Sequence, residues 1–368
     1  MSARLFTPGP LSMADDVRQA MLEDIGSRTP RMEELTRKIR NELAEVAECG
    51  DGFAVVPIQG SGTYALEAML SSLLHDTDKL LVAANGPYGE RMAQICRVHG
   101  LNHRALNSSG MRPVSAAEIE AVLQADPAVT HVALVHFETA LGVLNDLDAV
   151  LAVASRRGVR VFVDAMSSFG ALPVPMRNRP VTAVAASSNK CLHGAPGLSF
   201  VIADRDALEN APPGRSLSLD LAAQFREFEK SGQWRFTPPT HVILALERAL
   251  ASYRAQGGRA GRWAHYSAIA QAITSGLAAL GIEALIESRF RAPIIATFVL
   301  PFGNEVMPAA RLSQLLIERG FVIYPSVYKE QNSYRVGFIG ELTQEDARGV
   351  VEATRSILVA HHCLPALA

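Results

Sequence analysis

Val159-Arg160-Val161-Phe162-Val163-Asp164 is an apolar run, broken only by Arg160, that stops on a carboxylate. A second run, Val181-Thr182-Ala183-Val184-Ala185-Ala186, stops on Ser187-Ser188-Asn189-Lys190. Short apolar runs bounded by polar residues read as buried strands, so the aspartate and the lysine each fall at a strand's carboxyl end. Open α/β sheets bind ligands in the crevice at those ends. A carboxylate and an amine brought to one crevice suit pyridoxal phosphate (PLP), which takes a Schiff-base lysine and an acidic partner for its ring nitrogen. Either residue alone reads as a surface lysine or a helix-capping aspartate; the ordered pair, followed by Gly194-Ala195-Pro196-Gly197, favours the cofactor.

Working outward, Phe53–Ile58, Lys79–Ala84, Val129–His136 and Leu198–Ala203 are further strand candidates. Between them lie the helical patterns Ala65–Leu74, Tyr88–His99, Ala116–Ala125 and Leu147–Arg157. This alternation predicts an α/β fold with a large domain built on a mostly parallel, doubly wound sheet. Residues 1–16 read as an extended arm, and Leu35, Ile39, Leu43 and Val46 mark a helix after it. The large domain is expected over 17–250, with a smaller C-terminal α+β domain over 251–368. Val242–Leu280 reads as one long helical stretch, followed by strands at Ile294–Leu300, Phe321–Tyr324 and Tyr334–Gly337.

The chain has 48% hydrophobic and 20% charged residues, ample for a large core. With 35 basic and 37 acidic side chains it has no basic excess that calls for nucleic acid. The start lacks the order of a signal peptide, and no apolar stretch approaches the ~18 residues of a membrane span. Cys49, Cys96, Cys191 and Cys363 are scattered, which reads as free thiols in a reducing compartment and excludes a zinc motif. The expectation is a soluble, cytoplasmic protein with no metal.

Gln59-Gly60-Ser61-Gly62-Thr63 joins a strand to a helix, and its hydroxyls and free N–H groups can hold a phosphate. It lacks the Walker lysine and the dinucleotide fingerprint. Tyr88 can stack on a planar ring, and Thr139 can reach the ring's phenolic oxygen. Glu138 reads as a buried carboxylate holding nearby loops, and His136 carries no assigned chemistry. Trp234 to His241 is a second group with anion-binding potential. Arg335 can fork onto a carboxylate.

These residues resemble a known family. Thr7-Pro8-Gly9-Pro10, Gln59 to Thr63, Asn85 to Met92, His136 to Thr139, Asp164 to Gly170, Ser187 to Gly197, Ser216 to Leu221, Trp234 to His241, Gly320 to Pro325 and Tyr334 to Glu341 together resemble the class V (fold type I) PLP-dependent aminotransferases. Within that family the set is most similar to the branch that moves the amino group of 2-aminoethylphosphonate to pyruvate. The resemblance runs from Leu5 to about Val359 and implies a homodimer with shared active sites, acting on a small amino donor and a keto acid. It implies that Lys190 forms the Schiff base, that Asp164 pairs with the pyridine nitrogen, and that Ser61, Gly62 and Thr63 hold the phosphate. Thr240 and Thr237 would join from the partner subunit. Tyr88 would stack on the ring, Thr139 would approach its oxygen, Asn189 would add a polar contact, and Arg335 with Arg28 would bind substrate.

Two segments depart from that branch. Gly26-Ser27-Arg28-Thr29-Pro30 looks more like the alanine– or serine–glyoxylate aminotransferases, and Pro325-Ser326-Val327-Tyr328 replaces the usual Pro-Gly. The amino donor therefore stays open between the two branches. A desulfurase would need a mobile cysteine on a second-domain loop near Arg335, and neither Cys191 nor Cys363 sits there.

Overall fold

In the computed structural model, which describes residues 3–328 and 331–365, seven strands make the central sheet. Met1, Ser2 and the last three residues of the expected second domain lie outside the described residues. After β1 (Arg4–Leu5) come β2 (Phe53–Gln59), β3 (Leu80–Ala84), β4 (His103–Asn107) and β5 (His131–Val135). A small hairpin, β6 (Phe137–Glu138) with β7 (Val143–Leu144), precedes β8 (Arg160–Asp164), β9 (Val181–Ser187) and β10 (Leu198–Asp204). The sheet order is β2-β10-β9-β8-β5-β3-β4.

The four pairings from β9 to β4 are parallel, whereas β10 runs antiparallel to both β9 and β2. Two reversals restore direction, so β2 ends on the same edge as β3, β5, β8 and β9. Every one of these strand ends then delivers its following loop to one crevice. The strands are almost wholly buried, as continuous apolar runs in a covered parallel sheet must be. β4 was not expected: its sequence His103-Arg104-Ala105-Leu106-Asn107 is polar because it is a half-exposed edge strand pairing only with β3.

The helix Pro30–Ala47 starts where Thr29 Oγ1 accepts from the Met32 N–H at 3.3 Å and Pro30 fills the first turn. It buries Leu35, Ile39 and Leu43 against the sheet's core, while Val46 is only partly covered. Each of those three burials contributes about 1.5–3 kcal/mol.

The expected long helix over 242–280 is two helices, Thr240–Ala255 and Gly258–Ala278. Gly257 and Gly258 both adopt positive φ, which ends the first helix and re-aims the second.

A second sheet, in the order β11-β12-β15-β14, consists of β11 (Glu283–Ala284), β12 (Ile295–Val299), β14 (Tyr324–Pro325) and β15 (Ser333–Gly337). Its own apolar core includes Phe298, Tyr334, Leu312 and Ile357. The arm is not wholly extended: Arg4–Leu5 pairs in parallel with β13 (Phe321–Val322), and Asp15–Gln19 is helical. Phe6 is fully buried in the second core, so the first residues described belong with the last body of the chain. The Gly337 N–H donates to Phe6 O, and a side chain at Gly337 would strike the Thr7 carbonyl. Among the described residues no helix is long and apolar enough to cross a membrane.

Candidate active site

Val135, Asp164 and Ala185 are register partners across β5, β8 and β9, so Asp164 stands at the middle of the sheet's carboxyl edge. Lys190 lies three residues past the last residue of β9, Ser187, and opens a tight turn that the His193 N–H closes by donating to Lys190 O at 2.9 Å. The crevice between them is lined by Ser61, Gly62, Thr63, Tyr88, Thr139, Asp164, Asn189 and Lys190, all expected. It is also lined by Arg91, Met166 and Ser187, which were not. Arg91 lies 5.0 Å from the centre of the Tyr88 ring and 3.4 Å from Thr63 Oγ1. Its place one helical turn after Tyr88 was the available signal.

Burial pushes the Asp164 carboxyl up to about 6, opposed by the Met166 N–H, which donates to Oδ1 at 2.9 Å, and by Arg91 and Lys190. Burial pushes the Lys190 ammonium down to about 8; Cys191 and Asp164 oppose that shift, and Arg335 adds to it. The amine donates to the Pro8 carbonyl at 2.5 Å. An amine that loses its proton near neutrality suits proton transfer at working pH.

Glu138 is fully buried and accepts from the Tyr88 and Ala140 N–H groups at 3.1 and 3.0 Å, fixing two of the loops that line the crevice. Burial raises its carboxyl to about 7 against those two bonds, and Asp164 adds to the rise. His136 bonds Ser168 Oγ through Nδ1 at 3.0 Å and is held near 4 by burial.

Arg335 projects from β15 and is 8% exposed. It donates to the Thr139 carbonyl at 3.3 Å, which links it to a crevice residue, while its Nε has no hydrogen-bond partner. Three expected residues lie elsewhere in their own chain. Thr237 lines a separate groove with Gln59, Gly60, Tyr64, Trp234 and Phe236. Thr240 opens the helix Thr240–Ala255 and does not line the crevice. Arg28 is exposed and bonded to Gln233, because Thr29 caps a helix there and turns the arginine outward.

Cys191 is fully buried and its thiol is pushed up to about 12, which leaves no reactive thiolate beside the lysine. Among the described residues no group of three or more His, Cys, Asp or Glu could hold a metal ion.

Comparison with known proteins places this geometry. The family model "Aminotransferase class-V" matches residues 17–324. The chain is 40% identical to a 2-aminoethylphosphonate–pyruvate transaminase of Pseudomonas putida over 96% of each chain. It is 42% identical to one of Burkholderia thailandensis, covering 97% of this chain and 96% of the relative. A solved aspartate aminotransferase from Thermus thermophilus superposes with a TM-score of 0.86 at 27% identity, covering 97% of this chain and 99% of that one. With a family match over most of its length and the lysine–aspartate crevice at the sheet edge, the chain belongs to the class V aminotransferases.

Proposed function

We propose that this chain uses PLP to transfer the amino group of 2-aminoethylphosphonate to pyruvate, giving phosphonoacetaldehyde and alanine. The observation that carries the reading is the 40% identity with transaminases of that name along 96% of the chain.

The residues fit the cofactor. Ser187 lines the crevice, and its buried hydroxyl has no hydrogen-bond partner among the described residues, which leaves a polar group there without a protein partner. Ser61 heads the helix Gly62–Leu73 without using its side chain as a cap, so its hydroxyl and the first N–H groups are open to a phosphate, and the Thr63 hydroxyl, which accepts from Arg91, still has its own proton to give. Asp164 would hold a proton at the ring nitrogen, Tyr88 would stack on the ring, and Thr139 and Asn189 would meet its polar edge. When bound, PLP supplies an aldehyde that condenses with amines and a ring that stores the electrons of a broken C–H bond.

The residues of the chain then do the rest. Lys190 Nζ takes a proton from the amine-bearing carbon of the donor and, in the second half, returns one to the former carbonyl carbon of pyruvate. Arg335 anchors an acid group on each substrate, a phosphonate first and a carboxylate next.

The active unit in this reading is a homodimer. Tyr64, Leu217 and Phe236 are 51%, 76% and 49% exposed beside the groove that holds Thr237. A second copy would cover this apolar rim and bring Thr237, Thr240 and Arg28 toward its partner's crevice. The scattered thiols accord with a cytoplasmic setting.

The test is optical. Protein reconstituted with PLP is mixed with 2-aminoethylphosphonate alone, and the absorption band of the lysine-bound cofactor is followed. Loss of the band and its return with pyruvate are expected. Conversion by alanine or serine, with no response to the phosphonate, would move the chain to the glyoxylate branch. A protein that never acquires the band would overturn the cofactor assignment.

A further inference from the structure

Behind the crevice, His193 is 2% exposed at the end of the turn that carries Lys190. Its ring makes all its polar contacts with other parts of the chain. Nδ1 is 3.1 Å from Glu341 Oε1, and Nε2 is 3.0 Å from the Gly340 N–H. A backbone N–H can only donate, so Nε2 carries the lone pair and Nδ1 carries the proton it gives to Glu341. The Tyr266 hydroxyl stands 2.6 Å from the same Nε2 and 3.3 Å from the carbonyl of Cys191, the residue next to the lysine.

The second attachment closes a circuit. The Glu341 N–H donates to Ser12 O at 2.9 Å. Ser12 belongs to the same arm as Pro8, whose carbonyl accepts from Lys190 Nζ. The backbone of the lysine and its amine are therefore held by two segments that are themselves joined. Gly340 and Glu341 also continue directly from β15, which bears Arg335.

We infer that His193 is a positioning residue: by bonding Gly340 and Glu341 it fixes the Lys190 turn to the segment that carries Arg335, and so sets the separation between amine and acid anchor. The inference rests on the reading that Lys190 is the reactive amine. The buried ring stays neutral, held near 4 by burial; Glu341 opposes that shift, while Arg262 and His265 reinforce it. Arg262 lies 3.9 Å from Glu341, so the carboxylate keeps a cation beside it when His193 is neutral. Neutrality is what the bond from Gly340 requires.

The experiment reads Lys190 directly in cofactor-free full-length protein. A brief pulse of acetic anhydride across a pH series, followed by peptide mass spectrometry, gives the titration of that one amine. In wild type the midpoint is expected near 8. His193→Phe frees the turn, lets the amine reach water, and moves the midpoint up by about one unit or more toward the ordinary lysine value. His193→Asn keeps a donor for Glu341 and restores part of the shift. In loaded enzyme, kcat of His193→Phe falls roughly tenfold to a hundredfold, as small misplacement of a reacting group does, with KM for pyruvate within about twofold. Glu341→Leu combined with His193→Phe shifts the Lys190 midpoint no further than His193→Phe alone, because His193→Phe already breaks the bond to Glu341.

Should His193→Phe fail to fold, the same upward shift is required of Tyr266→Phe. An unchanged Lys190 midpoint in the folded variants, with only a lower melting temperature, overturns the inference. If wild type never binds PLP yet the midpoint still moves in His193→Phe, the proposed activity falls and the positioning role stands.

Discussion

Lys190 Nζ donates to the carbonyl of Pro8, 182 residues away in sequence, and this bond puts the start of the chain directly against the amine of the crevice. The arm is thus part of the site's wall, held there by β1 on β13 and by the burial of Phe6.

Gly9→Ala tests that wall. Gly9 has φ of +118°, and a Cβ there would lie 2.6 Å from Lys190 Nζ. The variant must shift the arm or the lysine, so slower cofactor loading and a loss of about 1–2 kcal/mol are expected. Stopped-flow absorbance and urea midpoints measure the two effects; wild-type values for both would show that the arm yields freely.

Lys190→Ala removes the only amine that lines the crevice among the described residues. Turnover should fall by roughly 10²–10⁴-fold or more, and the lysine-bound absorption band should vanish while far-ultraviolet circular dichroism is kept. Retained turnover would assign the proton transfer elsewhere.

Arg335→Lys keeps the charge and loses the fork. Two charge-assisted bonds become one, so kcat/KM for each substrate should drop by roughly 10²-fold. Steady-state kinetics with donor and acceptor varied separately check this. A loss confined to one substrate would mean that the two acids bind different groups.

Burial raises the carboxyl of Glu138 from its ordinary 4.5 to about 7, and that of Asp164 from 3.8 to about 6. In both windows the folded state holds more protons than the unfolded state. Stability of the cofactor-free protein is therefore fully present at low pH and falls as pH climbs from about 4 to about 7. The Glu138 share is on the order of 3 kcal/mol. Glu138→Gln should remove the part of the slope above pH 6 and leave the Asp164 part below it. Urea unfolding across pH measures both, and an unaltered slope above pH 6 would show that Glu138 does not titrate there.

The central sheet and much of the crevice were legible because buried parallel strands are short apolar runs that end abruptly on polar residues, as Val163-Asp164 and Ala186-Ser187 do. Local pattern carries that signal. Edge strand β4 lacks it, since half its side chains face water. The break at Gly257 was hidden because apolar spacing continues across it and only the positive φ of two glycines changes direction. Pro8 on Lys190 and His193 on Glu341 are contacts between distant segments, and nothing in either segment alone announces the other. Thr237, Thr240 and Arg28 do not line their own chain's crevice.

The pairing of β2 with β10 also orders events at the ribosome. The Ser61 turn hangs from β2, whose sole sheet neighbour emerges about 140 residues later, at Leu198–Asp204. A nascent chain shorter than that has no partner for β2 and so an unfinished Ser61 turn, however well its first helices form. The Pro8 strap waits longer still, for Phe321–Val322 to take up β1. The Pro8 segment closes over the lysine only once β13 has formed, and until then that side of the amine stands open.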